Sequence, residues 1–318
     1  MNLLTQIPLY KAENTIDYSS QLLLIGSCFS ENMGAKLAYY KFQSLQNPFG
    51  ILFHPLAIEN LIQKAVNQEL FTEEDVFSAN EQWHSFNAHS SLSNPSKEQI
   101  ITDLNTAVAT TSIQLQTATH IVITLGTAWV YRKTSSNQVV ANCHKIPQSN
   151  FTKELLRVEE VTESLRRITA LVQSVNPSAQ FILTVSPVRH LKDGFVENQL
   201  SKSHLISAIH NVLAERISYF PSYELMMDEL RDYRFYAKDM IHPNEVAIDY
   251  IWEKFVEVWI DEATSVTMKK VGEVQRGLRH KAFNPEGEAH QKFLTSLAHK
   301  IAYIKKDYPF MDFNTVNT

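Results

Sequence analysis

The chain has 318 residues, a formal net charge of −5, and 44% hydrophobic, 20% charged and 10% aromatic residues, with 11 prolines and only 8 glycines. These proportions exclude collagenous, low-complexity and disordered chains and describe a folded protein with a substantial core. The acidic balance gives no electrostatic case for a nucleic-acid partner, which shows as a basic excess, so a small polar or uncharged ligand fits better.

Residues 22–25 are a four-residue apolar run ended by Gly26-Ser27, the length and punctuation of a buried strand. Ser30 and Asn32 then lead into a helical pattern that runs to Tyr40. Asn47-Pro48-Phe49-Gly50 is a turn signal, and residues 55–66 form an amphipathic helix opened by Pro55. Residues 97–117 place Ile100, Ile101, Leu104, Val108 and Ile113 near one helical face. A second apolar run, 120–125, stops at Gly126. Trp129-Val130-Tyr131 and Val139-Val140, separated by a polar 134–137, predict a β-hairpin inserted near 128–144. A long helix is expected from about 153 to 175, ended by Asn176-Pro177. A third buried strand follows at 181–185, closed by Ser186-Pro187. Beyond it come a helix at about 201–219, a fourth strand at 223–227 and a last core helix from 244 to about 262.

Strands that alternate with helices argue for a parallel sheet covered on both faces, and ligands bind such sheets beyond the carboxyl ends of the strands. The residues after each strand therefore come first as site candidates. Residues 264–318 are mildly basic and helical in pattern. They read as a solvated cap on a core domain of 1–263, and the same face is a candidate contact for a second copy of the chain. No run approaches the about 18 apolar residues that span a bilayer, and the first residues lack the parts of a secretory signal, so a cytoplasmic protein without a membrane partner is expected. Two cysteines, Cys28 and Cys143, cannot build a disulfide framework.

Two clusters can carry chemistry. Gly26-Ser27-Cys28-Phe29-Ser30 sets a hydroxyl and a thiol at a strand-to-helix turn, where a nucleophile stands near the positive end of the helix. Asp239-Met240-Ile241-His242-Pro243-Asn244 places a carboxylate three residues before an imidazole, so that the Asp can accept from Nδ1 and leave Nε2 as a base. The histidines of Trp83-His84-Ser85-Phe86-Asn87-Ala88-His89 lack the acidic or cysteine company of a metal site. No metal or cofactor is required by this chemistry. Arg189, just beyond the third strand, is a candidate for an anionic substrate group.

Together the two clusters resemble the SGNH or GDSL-type hydrolases, and Gly26-Ser27-Cys28-Phe29-Ser30 more narrowly resembles the signature of the GSCFA family, a branch placed with them. The resemblance implies a flavodoxin-like three-layer α/β/α fold over residues 20–260, followed by the helical C-terminal extension. It also implies hydrolysis of an ester-type acyl bond, such as an acetyl group on a carbohydrate, by a nucleophile–His242–Asp239 triad. Acyl transfer on the same site, or carbohydrate binding without turnover, are the alternatives. Alignment of the signature places Cys28 at the nucleophile and leaves Ser27 as the other choice. A thiol there, near a helix N-terminus and a His, is expected to ionise below about 8.5. By the resemblance, the superfamily's oxyanion Asn is replaced by Ala128 in Gly126-Thr127-Ala128-Trp129. Gly126, Thr127, Trp129, Asn47, Asn142, His144 and the Gly50 backbone are the candidates to hold the oxyanion or the substrate in its place.

Overall fold

The apolar runs become the centre of one sheet. The computed structural model describes residues 5–313, and its five parallel strands β1 (Gln21–Gly26), β2 (Gln43–Gln46), β5 (His120–Leu125), β9 (Gln180–Val185) and β10 (Ile217–Phe220) lie in the order β10-β9-β5-β1-β2. Strands buried on both faces read as continuous apolar runs, and β5 is buried at all six positions. Counted along the sheet, this is the flavodoxin-like order, in which the chain reverses direction across the first strand. The switch point falls between β1 and β5, whose register pairs Gly26 with Thr124.

Successive residues of each strand face opposite layers. Leu23 and Ile25, with Ile121, Ile123 and Leu183, join a core closed by α2 (Pro55–Asn67), α3 (Lys97–Thr117), α4 (Val158–Val175) and α5 (Phe195–His210). Leu22, Leu24, Val122 and Ile182 face α1 (Cys28–Tyr39), α7 (Glu245–Trp259) and the C-terminal helices α8 (Glu262–Arg279) and α9 (Glu288–Asp307). Each fully buried Leu or Ile contributes about 1.5–3 kcal/mol, so the two layers dominate the stability. Met268, Val271, Val274, Leu297 and Ile304 are buried in this second core, which makes the C-terminal helices a cap packed on the sheet domain. None of the helices among the described residues is long and apolar enough to cross a membrane.

Four expectations are corrected, and one strand is new. The segment at 223–227 is not a strand: after Pro221 the chain forms the helical turn α6 (Ser222–Glu224) and a π-helical turn, Leu225–Glu229. The fourth apolar strand is β10, just before it. The helix expected at 201–219 is α5, which starts earlier, after Gly194. The helix expected from 153 begins at Val158, because Phe151–Leu155 is strand β8. β8 pairs antiparallel with β6 (Trp129–Lys133), which also pairs with β7 (Val139–Val140), so the inserted hairpin is a three-stranded sheet. Finally, β2 was not anticipated: its Gln43-Ser44-Leu45-Gln46 is a partly exposed edge with no apolar run. A small hairpin of β3 (Phe77–Ala79) and β4 (Gln82–His84) completes the strands.

Candidate active site

A cavity of about 540 Å³ opens at the carboxyl end of the sheet. Cys28, Thr127, Trp129, Asn142, Arg189 and His242 line it, together with Ile51, Phe53, His54, Cys143 and His190. The carboxyl end of the sheet thus brings the two sequence clusters, more than two hundred residues apart, to one cavity.

The turn after β1 decides which nucleophile faces the cavity. Ser27 is fully buried. It is the N-cap of α1, and its Oγ accepts from the Phe29 N–H at 3.3 Å. Cys28, the first residue of the helix, is half-buried and on the cavity wall. Burial pushes the Cys28 thiol up, and Glu31 adds to this; Lys202 and the backbone N–H groups of Cys28 and Phe29 pull the other way. The expected fall in its pKa is therefore corrected. Desolvation outweighs the helix terminus.

Across the cavity, His242 Nδ1 lies 2.6 Å from Asp239 Oδ2. Asp239 Oδ1 accepts from the backbone N–H groups of Ile241 at 2.9 Å and His242 at 3.0 Å. The carboxylate thus folds the loop around itself, with Met240 at φ 59° as the tight residue. These two N–H groups, with His242, hold the Asp239 carboxyl down to about 2. The folded value lies below the ordinary 3.8, so its contribution to stability is complete above that value and is lost as pH falls through about 2. The melting-temperature difference between wild type and Asp239→Asn should accordingly narrow as pH falls below about 4. Thermal unfolding across that range checks it.

Arg189 lines the cavity but is committed to the loop. Its guanidinium donates to the Met240 carbonyl and lies against the neighbouring rings of Tyr233, at 5.2 Å, and Tyr236, at 4.4 Å. Its backbone N–H donates to Ile241 O at 3.3 Å. It braces the His242 loop through Nη2, while its buried Nε has no partner among the described residues.

Most of the expected oxyanion donors are committed elsewhere. The Gly126 and Thr127 N–H groups both donate to Phe53 O, at 2.7 and 3.0 Å. The Thr127 hydroxyl pairs with Ser201 Oγ at 3.1 Å and accepts from Trp129 N at 3.0 Å. The Ala128 N–H donates to Ser201 Oγ at 2.7 Å, and the Trp129 indole N–H to Glu197 O at 3.2 Å. The Gly50 N–H closes the turn onto Asn47 O at 2.7 Å. Asn47 holds the Gly26 N–H through Oδ1 at 2.9 Å, while its buried Nδ2 has no partner among the described residues. Asn142 is on the cavity wall, where its Oδ1 accepts from His144 N at 2.8 Å. His144 turns away from the cavity: it is buried against His84, Phe86 and Phe77, and its Nε2 meets Ser85 O at 2.7 Å. Burial lowers it to about 4.

Two groups were not singled out from the sequence. His190 has its backbone held by Asn198 Oδ1 at 2.8 Å and its ring edge-on to Phe53. Its buried Nε2 has no partner among the described residues and sits beside Gly126, 3.2 Å from where a Cβ there would be. Burial, with Lys202 and His242, lowers it to about 3, so the ring is neutral. Lys202 is fully buried behind the same wall. Its position in a polar helical stretch carried no signal, whereas His190 was visible only as a neighbour of Arg189.

A parallel α/β sheet with a thiol and an Asp-bonded His lining one cavity at its carboxyl end defines an α/β protein with a cavity where such folds place their ligands. The chain belongs to the GSCFA family, whose model matches residues 21–255. The model described as GSCFA domain protein, C-terminal domain, matches residues 271–316. No curated protein matches the chain.

Proposed function

We propose that the chain is an SGNH-type acyl hydrolase that cleaves an ester-type bond, an acetyl group on a carbohydrate being the substrate class in view, through a covalent intermediate on Cys28. The observation that carries this reading is that Cys28 and His242 share one cavity while Ser27 is sealed beneath it as a helix cap. His242, with its Nδ1–H donating to Asp239, takes the thiol proton at Nε2 as the sulfur attacks the carbonyl carbon. The same proton passes to the leaving alcohol. Water, with His242 again as base, then hydrolyses the thioester, releases the acid and restores the thiol.

The oxyanion needs donors that nothing else has engaged. The start of α1 supplies the Cys28 N–H, and His190 supplies Nε2–H from a neutral ring beside Gly126, the side of the site where Ala128 stands in place of the SGNH superfamily's Asn. On an activated acetyl ester, Cys28→Ala should lower turnover at least about 10³-fold and abolish the mass increase of the acyl-enzyme. His190→Phe should lose about 10²-fold, the order seen when one oxyanion donor is removed. Ser27→Ala should retain the acyl-enzyme and lose about 1 kcal/mol of stability as a missing cap. Equal inactivity of wild type and Cys28→Ala across esters would leave a carbohydrate-binding site without turnover, and a dead Ser27→Ala with an active Cys28→Ala would move the nucleophile to Ser27.

A further inference from the structure

The cavity is larger than the acyl half of the proposed ester needs. Its volume of about 540 Å³ lies within the roughly 300–1,000 Å³ of pockets that enclose a whole small-molecule ligand, and an acetyl group on Cys28 would take only a small part of it. Much of the rest is walled by the inserted sheet. In that sheet Tyr131 pairs with Val140 of β7 and with Lys153 of β8, and Trp129 with Leu155. Residues paired across antiparallel strands share a face, and successive residues alternate. Trp129, Tyr131 and Val140 therefore stand on one side, and all three line the cavity. Val130, between the two rings in sequence, points the other way and is fully buried in the core.

Trp129 is held without being covered. Lys153 Nζ lies 4.6 Å from its ring centroid and is itself paired with Asp193 Oδ1 at 2.6 Å, while the indole N–H is given to Glu197 O at 3.2 Å. A ring fixed in this way loses little freedom when a ligand packs against it. Near the two rings the cavity carries hydrogen-bonding groups that the fold leaves unused. The Tyr131 hydroxyl, Asn142 Nδ2 and the Gln148 side-chain amide have no partner among the described residues, and all three residues line the cavity.

We propose that this face of the inserted sheet is the subsite for the alcohol half of the ester, and that it takes a pyranose ring. The C–H faces of the sugar pack on Trp129 and Tyr131, and its hydroxyls pair with Asn142, Gln148 and the Tyr131 hydroxyl. An amide or a phenol both donates and accepts, as a sugar hydroxyl does. An apolar alcohol of the same size would strip water from these groups and return no hydrogen bond. That the sugar is the leaving alcohol rests on the acyl-enzyme reading above, but binding of the ring is read without any turnover.

The experiment uses the full chain carrying Cys28→Ala, which forms no acyl-enzyme. Saturation-transfer NMR follows its titration with the methyl pyranosides of glucose, galactose, mannose and xylose, and with cyclohexanol, a six-membered ring with a single hydroxyl. At least one pyranoside should bind more tightly than cyclohexanol. Adding Tyr131→Ala should weaken that binding about tenfold and adding Gln148→Ala about threefold, the worth of a packed ring and of one neutral hydrogen bond. Gln148 is exposed and its side chain bonds to nothing among the described residues, so its variant answers even where Tyr131→Ala does not fold. Cyclohexanol binding as tightly as every pyranoside, or pyranoside binding that the folded variants do not weaken, overturns the proposal. With Cys28 restored, kcat/KM for the mono-O-acetyl ester of the bound pyranoside should exceed that for cyclohexyl acetate, and both substitutions should lower this ratio through KM. A merely structural Tyr131 would lower both esters alike and leave the ratio in place, which also overturns it. Pyranoside binding in a protein that hydrolyses no ester would retain the subsite and remove the hydrolase reading; an active esterase that binds no pyranoside would do the reverse.

Discussion

His242→Ala is expected to lower kcat on an activated acetyl ester by about 10²–10⁴-fold, the range that a positioned general base supplies, with little change in melting temperature. The stability expectation follows from exposure: about half of the His242 and Asp239 side chains faces solvent, and the loop backbone is held by other groups. Ala237 N donates to His242 O at 2.7 Å, Asn244 N to Phe235 O at 2.9 Å, and Arg189 clamps Met240 and Ile241. The catalytic expectation follows from the tautomer. With Nδ1–H given to the Asp239 carboxylate at 2.6 Å, the proposed mechanism uses Nε2 as the base for the Cys28 proton. Asp239→Asn separates this role from simple presence of the ring. Its Oδ1 can still accept the Ile241 and His242 N–H groups, but its amide N–H₂ would face Nδ1, which must then accept. The proton is forced onto Nε2 and the base is lost. Asp239→Asn should therefore approach His242→Ala in kcat while the loop stays folded. A fully active Asp239→Asn would remove the Asp from the mechanism, and a fully active His242→Ala would remove the base altogether.

How much of this was legible depends on whether the signal was local. The runs at 22–25, 120–125 and 181–185 were readable as strands because a strand covered on both faces has no polar alternation to hide it. The same logic misled at Tyr223-Glu224-Leu225-Met226-Met227. There Leu225 and Met226 are fully buried, but in a helical and π-helical turn, and a short apolar run cannot by itself separate the two states. β8 escaped because its partner, β6, lies some twenty residues back, and Thr152-Lys153-Glu154 alone has no strand character. In the site, the Cys28 turn and the Asp239–His242 loop were legible because each is a contiguous motif whose internal hydrogen bonds the spacing dictates. Lys202 was not, since Gln199-Leu200-Ser201-Lys202-Ser203-His204 reads as an ordinary exposed helical face. Only the crossing of α5 over the ends of β5 and β9 buries it. His144 failed for a related reason: it follows the cavity residues Asn142 and Cys143, but a left-handed backbone at φ 48° turns its ring to the far side.

Gly26→Ala is expected to destabilise the protein by at least about 3 kcal/mol, which for a chain of this size is a fall of roughly 5–10 °C in melting temperature. Gly26 closes β1 at φ +142°, a conformation that residues with a Cβ rarely adopt, and an added Cβ would stand 2.1 Å from Thr124 O. The obstacle is backbone, and that backbone cannot withdraw. Ser27 N donates to the same Thr124 O at 3.1 Å, Gly26 N is held by Asn47 Oδ1 at 2.9 Å, and Gly26 O accepts from Leu52 N at 2.9 Å. Relief would have to break the β1–β5 register or the Asn47 turn, and either would move the Cys28 thiol relative to His242. Gly272→Ala is the matched control. Gly272 lies inside α8, where an added Cβ would meet only the Tyr40 ring at 3.4 Å and the Arg276 guanidinium at 3.5 Å. Replacing a helical glycine with alanine there should be neutral or gain up to about 1 kcal/mol. Urea unfolding of both variants gives the comparison, with the esterase assay run on whatever fraction of Gly26→Ala folds. A Gly26→Ala protein as stable as wild type would mean that the turn carrying Cys28 is closed by the Asn47 bond to Gly26 N and not by the contact with Thr124.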